Sequence, residues 1–353
     1  MASSLTYGKD SDVLVIGGGP AGTSAAITCA EAGRFVILLE AASFPRHAPG
    51  ETLHPGVEPL LQRLGVEQEL EQAAFLRHPG VWVNRSGKAE FHAYGSDARG
   101  PWLGYQAWRP EFDALLLERA RRAGVRILQP HRAVRVLREG DRVVGAETTA
   151  GSLAAGVVID ASGASGWLAR QLASPYQRVS PRLTALYGYV EGECPARDEA
   201  PSFRLTPDGW TWTARVRTGV YQWTRVVTCN PRQSMGPFHM GPPLELAGLR
   251  RLGRTRGSDV TWRRLSTFSG PGYFVAGDAA CVCDPSSSHG VLRALMSGML
   301  AGHLVSRRTG RERPEALSRQ YERFLGSWFK FDRAQIEKLT EFSKWCDIQS
   351  GHG

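Results

Sequence analysis

Three glycines and one carboxylate near the start of the chain have a spacing that could bind a nucleotide. Gly17, Gly19 and Gly22 follow a short apolar run at the spacing G-x-G-x-x-G. In such a unit the first glycine allows a tight turn, the second lets a pyrophosphate approach the backbone, and the third lets a helix pack closely on the strand. Glu40 ends the next apolar run, where a carboxylate can accept ribose hydroxyls. The unit predicts a bound adenine dinucleotide and leaves open whether this is FAD or NAD(P).

The hydrophobic pattern shows the elements that must position this site. Apolar runs typical of buried parallel strands lie at 13–16, 35–39 and 157–160. Leucines at helical spacing predict one helix over 57–70. Between 186 and 228, aromatic residues alternate with polar ones, which predicts an antiparallel sheet laid over the nucleotide domain. The segment 311–349 predicts one or two helices with aromatic residues on their apolar faces.

Composition and charge limit the class of protein. The 353 residues carry a formal charge of +9, and hydrophobic residues make up 42% of the chain. These values are those of a globular protein large enough for two joined domains. No basic run is interleaved with aromatic residues in the manner of a nucleic-acid site, so we expect no nucleic-acid partner. The N-terminus lacks a signal-peptide pattern and the longest apolar stretch, 291–305, is too short to cross a bilayer, so we expect a cytoplasmic protein with no membrane span.

Five spaced motifs together resemble one superfamily. They are the glycine triplet with Glu40, GETLHP at 50–55, RPEFD at 109–113, DASG at 160–163, and GDAA at 277–280 followed by Asp284-Pro285. The set is similar to that of the superfamily containing the FAD-dependent aromatic hydroxylases, the flavin-dependent halogenases and the geranylgeranyl reductases. The likeness covers most of residues 10–310. It implies non-covalent FAD as the cofactor, with NADH or NADPH supplying electrons directly or through a separate flavin reductase.

The same resemblance assigns residues to the flavin. Asp278 would bond the ribityl chain, and Arg109 would lie along the phosphates or the ribityl chain. The helix after Gly290 would direct its N-terminus at the N1/C2=O edge of the flavin, where negative charge builds on reduction. The other positions of these motifs and of the loop after Glu40 that we expect at the cofactor are Arg46, Asp160, Gly163, Gly277, Pro285 and Val291.

Three side chains are candidates for proton transfer near the flavin. His289 is at the start of a predicted helix, and as a general base it could take a proton from an indole or a phenol. It could equally be a neutral hydrogen-bonding residue, because a helix N-terminus disfavours the imidazolium. Glu51 and His54 are further candidates on the opposite loop. Cys281 and Cys283 are too closely spaced for a zinc site and no Cys/His pair accompanies them, so we expect no metal.

Two features argue against halogenation. The segment GWTWTA, which contains Trp210 and Trp212, resembles the W-x-W-x-I-P signature of halogenases but lacks its Ile-Pro. Indole halogenases also use a lysine on the strand that follows the GE loop, and the local pattern places Val81 or its neighbour there, with Lys88 a strand away. Reduction of an isoprenoid would need a long apolar tunnel, whereas the middle section is aromatic with polar flanks. Hydroxylation is therefore the favoured reaction.

The segments 50–66 and 284–298 look closest to those of flavoprotein maturases, which oxidise a tryptophan of a partner protein on its way to a tryptophylquinone cofactor. This resemblance implies an FAD-dependent monooxygenase that hydroxylates an aromatic ring, namely a tryptophan side chain of an oxidase precursor. Trp210 and Trp212, two residues apart on a strand, would face the same way and wall in the indole. The basic segment 250–264 would steer an acidic precursor. The alternatives are a halogenase or hydroxylase of a free small aromatic molecule, and a non-catalytic flavoprotein chaperone of an oxidase precursor.

The resemblance also implies the fold class and the domain organisation. The fold is α/β, with a Rossmann-type FAD-binding domain, an antiparallel β-sheet substrate domain and C-terminal helices. The FAD-binding domain is expected to be discontinuous and to comprise residues 1–80, 106–172 and 265–310. The substrate domain is expected at 81–105 and 173–264, and the C-terminal helical segment at 311–353.

Overall fold

A computed structural model of the chain describes residues 10–206, 208–228, 241–307 and 314–340. The helices in these ranges are α1 (Pro20–Glu31), α2 (Glu58–Leu64), α3 (Glu67–Ala73), α4 (Arg109–Arg122), α5 (Trp167–Gln171), α6 (Gly290–Arg307) and α7 (Pro314–Thr340). The strands are β1 (Ser11–Ile16), β2 (Val36–Leu39), β3 (Thr52–Leu53), β4 (Leu76–His78), β5 (Gly80–Arg85), β6 (Lys88–Ala93), β7 (Ser96–Asp97), β8 (Gly100–Pro101), β9 (Gly104–Gln106), β10 (Arg126–Leu128), β11 (Ala133–Glu139), β12 (Arg142–Thr148), β13 (Gly151–Asp160), β14 (Tyr176–Arg178), β15 (Leu183–Glu191), β16 (Ser202–Thr206), β17 (Gly209–Arg217), β18 (Val220–Thr228), β19 (Arg250–Asp259), β20 (Arg263–Leu265), β21 (Ser269–Gly270), β22 (Tyr273–Val275) and β23 (Cys281–Val282).

Two large sheets organise these elements. The first has eight strands, in which β10, β2, β1, β13 and β22 are parallel and β12, β11 and β21 are added antiparallel. The second has seven strands in the order β19-β15-β18-β17-β16-β5-β6, and its neighbours are antiparallel except for the parallel pair β16 and β5. The expected α/β fold, with a Rossmann-type sheet and an antiparallel sheet, is confirmed.

The ends of the parallel strands determine where a ligand can bind. Ile16 at the end of β1 pairs with Leu39 on one side and with Asp160 on the other. All three strands therefore end together, and the turns that follow them meet at one edge of the sheet. Ligands of open parallel sheets bind at this carboxyl edge. The apolar runs of β1 and β2 are buried, as expected for strands that are covered on both faces.

Helix α6 packs against α1 at very short range. A Cβ atom added to Gly298 would lie 2.1 Å from the carbonyl oxygen of Ala21 and 2.3 Å from the hydroxyl of Ser24. The Ser24 hydroxyl donates to the Leu295 carbonyl at 3.3 Å and ties the two helices together. This contact places the first turn of α6 beside the turn that opens α1, so both helix N-termini face the same space.

Two sequence predictions about helices need comment. The single helix predicted over 57–70 is wrong, because Gly65 takes a left-handed conformation with φ 67° and ψ 52° and ends α2 before α3 begins. The C-terminal segment forms one helix, α7, and residues 341–353 lie outside the described part of the chain.

Among the described residues, no helix combines the length and the apolar character needed to cross a bilayer.

Candidate cofactor and substrate site

A cavity of about 670 Å³ runs from the carboxyl edge of the parallel sheet to one face of the antiparallel sheet. A volume of this order is typical of ligand sites in proteins. Fourteen of the residues expected from the sequence line it: Gly17, Gly19, Glu40, Arg46, Glu51, Arg109, Gly163, Trp210, Trp212, Gly277, Asp278, Pro285, Gly290 and Val291. Four others do not line it: Gly22, His54, Asp160 and His289.

The glycine turn has the geometry of a cradle. Gly19 precedes α1 in an extended conformation. Among the described residues other than its chain neighbours, one atom lies within 4 Å of an added Cβ, a terminal nitrogen of Arg46 at 3.3 Å. The space beside Gly19 is therefore open to a ligand. Gly22 faces the other way, and a Cβ there would lie 1.8 Å from the carbonyl oxygen of Gly17. Gly22 thus allows the helix to pack closely and does not touch a ligand.

Two carboxylates near the glycine turn differ in whether they remain available to a ligand. Glu40 accepts from the backbone N–H groups of Gly18 and Ala42, each at 2.8 Å, and still lines the cavity. A carboxylate has about four acceptor sites, so Glu40 can also accept hydrogen bonds from ribose hydroxyls. Asp160 is fully buried and accepts from the N–H groups of Ser162 and Leu168 at 2.9 and 2.8 Å. Its expected contact with the cofactor is corrected to a role in shaping the DASG turn, because both of its oxygens bond the backbone inside the fold.

Arg109 is held rigidly at the cavity wall. Its guanidinium donates to both oxygens of Asp113, at 2.8 and 3.0 Å, and to the carbonyl of Pro49 at 2.7 Å. Arg46 lies nearby, with nitrogens 3.8 Å from Glu40 and 3.6 Å from Asp113. Its Nε atom is buried and makes no hydrogen bond with a described residue. Asp113 and Glu40 offset the charges of these two guanidinium groups, and both guanidinium groups line the cavity, where they can also donate to phosphates.

Asp278 is the carboxylate that faces the cavity. Its side chain is open to the cavity and makes no hydrogen bond with another described residue. Protein surrounds it closely enough that desolvation raises the pKa of its carboxyl, while the charges of Arg293 and Arg109 partly offset this rise. An acceptor with no protein donor on the wall of a ligand site fits the hydroxyl groups of a ribityl chain.

The N-terminus of α6 also opens into the cavity. Gly290 begins this 18-residue helix, and apart from its own helix and chain neighbours no atom of a described residue lies within 4 Å of a Cβ added there. Ser288, Gly290 and Val291 all line the cavity. The free N–H groups and the positive end of the helix dipole can stabilise negative charge on a bound group. The open glycine turn, the unpaired Asp278 and this helix terminus together fit FAD.

The antiparallel sheet forms the other wall. Tyr187, Thr224 and Trp212 are paired across β15, β18 and β17, and all three side chains line the cavity. Ala185, Gln222 and Trp210 line it as well, each two residues from one of the first three along its strand. Trp210 is held in place because its indole N–H donates to Asp284 at 3.3 Å. This wall is therefore lined by two largely buried indoles, a phenol, an amide and a hydroxyl.

Glu51 lies on the wall between the two halves. It is buried, and its carboxylate accepts from the N–H of Gly50 at 2.9 Å and from the hydroxyl of Tyr189. Burial raises the pKa of Glu51, while the Tyr189 hydrogen bond and the charge of Arg109 act in the opposite direction. A carboxyl group with a raised pKa beside a ligand site can hold or accept a proton near neutral pH.

His54 and His289 lie next to each other behind the cavity. Their ring centroids are 4.8 Å apart, and His54 Nδ1 accepts from the N–H of Gly56 at 3.0 Å. His289 Nδ1 is 2.8 Å from Asp332 Oδ1 on α7. Desolvation, with the nearby His289, lowers the pKa of His54 to about 4, so this imidazole is neutral at pH 7. Neither ring reaches the cavity, so a direct proton transfer from substrate to His289 or His54 is not supported by this geometry.

Some functional residues were missed in the sequence. Arg293 lines the cavity and is close to Asp332, at 3.3 Å from Nε to Oδ2. Its position three residues after Gly290, on the same face of α6, is the signal that could have identified it. Tyr187 and Gln222 belong to the alternating pattern of the predicted strands, and the face that each presents follows from that alternation. Asp332 left no signal, because nothing local to α7 indicates which element it contacts.

Comparisons with known proteins describe the relatives of this chain. Residues 12–171 match the model of a family described as FAD dependent oxidoreductase. The chain is 31% identical over 337 residues to the flavin-dependent halogenase armH5 of Armillaria mellea, across 83% of this chain and 64% of that protein. It is 30% identical over 320 residues to a tryptophan 2-halogenase of Chondromyces crocatus, across 83% of this chain and 60% of that protein. The chain thus spans less than two thirds of the length of these two relatives.

Solved structures give the same fold. The flavin-dependent brominase Bmp2 superposes with a TM-score of 0.84 at 22% identity, over 97% of this chain and 90% of that one. The myxobacterial chondrochloren halogenase CndH superposes with a TM-score of 0.82 at 28% identity, over 93% of this chain and 82% of that one. At its identity, the likeness to Bmp2 concerns the fold alone.

Proposed function

Because this chain belongs to the superfamily of FAD-dependent aromatic hydroxylases and flavin-dependent halogenases, we propose that it is an FAD-dependent enzyme that halogenates an electron-rich aromatic ring. The observation that carries the proposal is the single cavity shared by the glycine turn, Asp278, the N-terminus of α6 and the wall of Trp210 and Trp212. The relatives support the halogenase alternative better than the hydroxylation of a partner protein's tryptophan, which the sequence alone favoured.

Each part of the cavity has a role in this proposal. When bound and reduced, FAD supplies the reaction with O2 that makes an oxidised halogen or oxygen species available. Arg46 and Arg109 would hold its phosphates, Asp278 would accept hydrogen bonds from its hydroxyls, and the N-terminus of α6 would stabilise negative charge on it. The aromatic wall orients the ring of the substrate and excludes water. Of the three proton-transfer candidates only Glu51 lines the cavity, so it is the group that can accept the proton lost by the ring.

Hydroxylation is the second candidate, and one observation favours it. Among the residues that the structure describes, Lys88, Lys330 and Lys338 are all exposed, and no lysine lines the cavity. Val81 lies on β5 and also does not line it. An amine that directs an oxidised halogen is thus missing from the described wall, whereas transfer of oxygen to the ring needs no such amine.

One assay separates the two reactions. The protein is incubated with FAD, NADH, a flavin reductase and O2, with bromide or chloride present or absent, and with tryptophan, indole or a simple phenol. Products are identified by mass spectrometry. We expect a halogenated ring in the presence of halide, and tryptophan is the first probe because one relative is named for it.

The outcomes have distinct meanings. A hydroxylated ring with and without halide would replace halogenation by the second candidate. A third outcome is that NADH consumption yields only hydrogen peroxide with every free aromatic probe, while a precursor protein is modified. That outcome would favour a protein-borne substrate. A protein that never retains FAD would contradict halogenation, hydroxylation of a free aromatic molecule and modification of a precursor protein alike.

A further inference from the structure

Helix α7 brings a buried carboxylate to the N-terminus of α6. Asp332 has no exposed surface, and its two oxygens lie 2.8 Å from His289 Nδ1 and 3.3 Å from Arg293 Nε. His289 immediately precedes α6, and Arg293 is in its first turn. One side chain from the C-terminal helix therefore holds the residues on both sides of Gly290, where the helix opens into the cavity.

We propose that Asp332 is a positioning residue that keeps Asp278 available to the cofactor by engaging Arg293. The side chain of Arg293 is largely buried, with 10% of it exposed, and a largely buried cation requires a carboxylate close by. Burial lowers the pKa of Arg293, while the thiols of Cys283 and Cys281 and then the carboxylates of Asp332 and Asp278 raise it. Of these two carboxylates, Asp332 is the one at ion-pair distance, with Oδ2 3.3 Å from Nε of Arg293. Because Asp332 forms the ion pair, the carboxylate of Asp278 stays unpaired and faces the cavity. The inference rests on the proposed function only in that FAD occupies the cavity.

Asp332 also fixes the orientation of the His289 ring. A carboxylate only accepts hydrogen bonds, so the proton of a neutral His289 resides on Nδ1 and its Nε2 is an acceptor. The neighbouring His54 has the opposite arrangement, because its Nδ1 accepts from Gly56 and its proton must reside on Nε2. The ring of His289 is thereby held against α7, and this explains why it turns away from the cavity.

The test compares two carboxylates of α7. Asp332→Asn removes the charge that engages Arg293 with almost no change in size. Glu322→Gln is the matched control, since Glu322 accepts from the N–H groups of Phe268 and Ser269 at 2.6 and 2.8 Å and does not line the cavity. The readout is the dissociation constant of FAD, measured by quenching of flavin fluorescence without halide or aromatic substrate. We expect Asp332→Asn to weaken FAD binding by at least about tenfold and Glu322→Gln to change it by less than about twofold.

A second pair of variants separates positioning from loss of structure. In an Arg293→Met background no cation remains to capture Asp278, so adding Asp332→Asn should change the dissociation constant by less than about twofold. This pair also removes the uncompensated buried charge, so it remains informative if Asp332→Asn alone does not fold.

Equal losses of FAD affinity for Asp332→Asn and Glu322→Gln, or equal losses with and without Arg293, would overturn the inference and leave the proposed function standing. A wild-type protein that does not bind FAD would overturn both.

Discussion

Two glycines of the same turn should respond to alanine in opposite ways. Gly19 has φ −75° and ψ −176°, which any residue can adopt, and the described atom nearest to an added Cβ is the end of the flexible Arg46 side chain at 3.3 Å. Gly19→Ala should therefore keep or raise the stability of the protein without cofactor, by about 0.4–1 kcal/mol from the less flexible unfolded chain. Gly22→Ala places a Cβ 1.8 Å from the carbonyl oxygen of Gly17, and overpacking of this kind costs about 1–3 kcal/mol or more.

The same two variants should affect the affinity for FAD in the opposite order, with the larger loss for Gly19→Ala. The Cβ at position 19 occupies the space that we assign to the pyrophosphate, so at least one hydrogen bond between the backbone and a charged group is lost. Such a bond contributes about 1.5–3 kcal/mol, which corresponds to a loss of affinity between about tenfold and about 150-fold. Gly22 does not line the cavity, so Gly22→Ala should lower affinity only through its lower stability.

The assay combines thermal unfolding of the protein without FAD and titration of FAD by fluorescence. Wild-type FAD affinity in Gly19→Ala would refute the placement of the pyrophosphate. Melting of Gly19→Ala as low as that of Gly22→Ala would refute the steric argument.

Three further predictions concern the substrate wall, a partner and pH. Trp212→Ala should raise the KM for the aromatic substrate about tenfold with FAD still bound, whereas Trp102→Ala, outside the cavity, should change neither quantity. If the substrate is protein-borne and acidic, replacing Arg251 and Arg254 of β19 by Ser should slow association, and the difference from wild type should shrink as salt rises. Desolvation lowers the pKa of His78 from 6.5 to about 4, so the unfolding free energy should fall by up to about 3 kcal/mol as the pH decreases between these values, and His78→Gln should flatten that slope in urea titrations.

The half of the molecule that binds FAD could be predicted because its signals are local. The glycine spacing, the apolar strands and Glu40 all lie within about thirty residues, and each has one physical reason to be where it is. The predictions of the fold class and of the superfamily are confirmed, and they could be made because these signals are local. The break between α2 and α3 was missed, although Gly65 was visible, because leucines on both sides continue the helical pattern across it.

Other parts of the site depend on contacts between distant segments. Asp332 lies 43 residues beyond His289 along the chain, yet the two side chains form a hydrogen bond. The orientation of His289 away from the cavity follows from that bond, and the position of His289 at a helix N-terminus indicated the cavity instead. Asp160 was predicted at the cofactor because it belongs to a motif, but the motif cannot show whether a carboxylate bonds a ligand or its own loop.

The two walls of the cavity are formed by different parts of the chain, one mainly by backbone and the other by side chains. This difference explains why the sequence predicts the cofactor more readily than the substrate. The flavin wall is largely backbone: open glycines, helix N-termini and a few charges whose spacing is the motif itself. The substrate wall consists of alternate side chains on β15, β17 and β18, including Tyr187, Gln222 and Thr224. Substituting any of these leaves the strand pairing intact, because the backbone makes the ladder. The shape and polarity of this wall can therefore change without changing the fold, and under the proposed function the choice of substrate depends on these side chains.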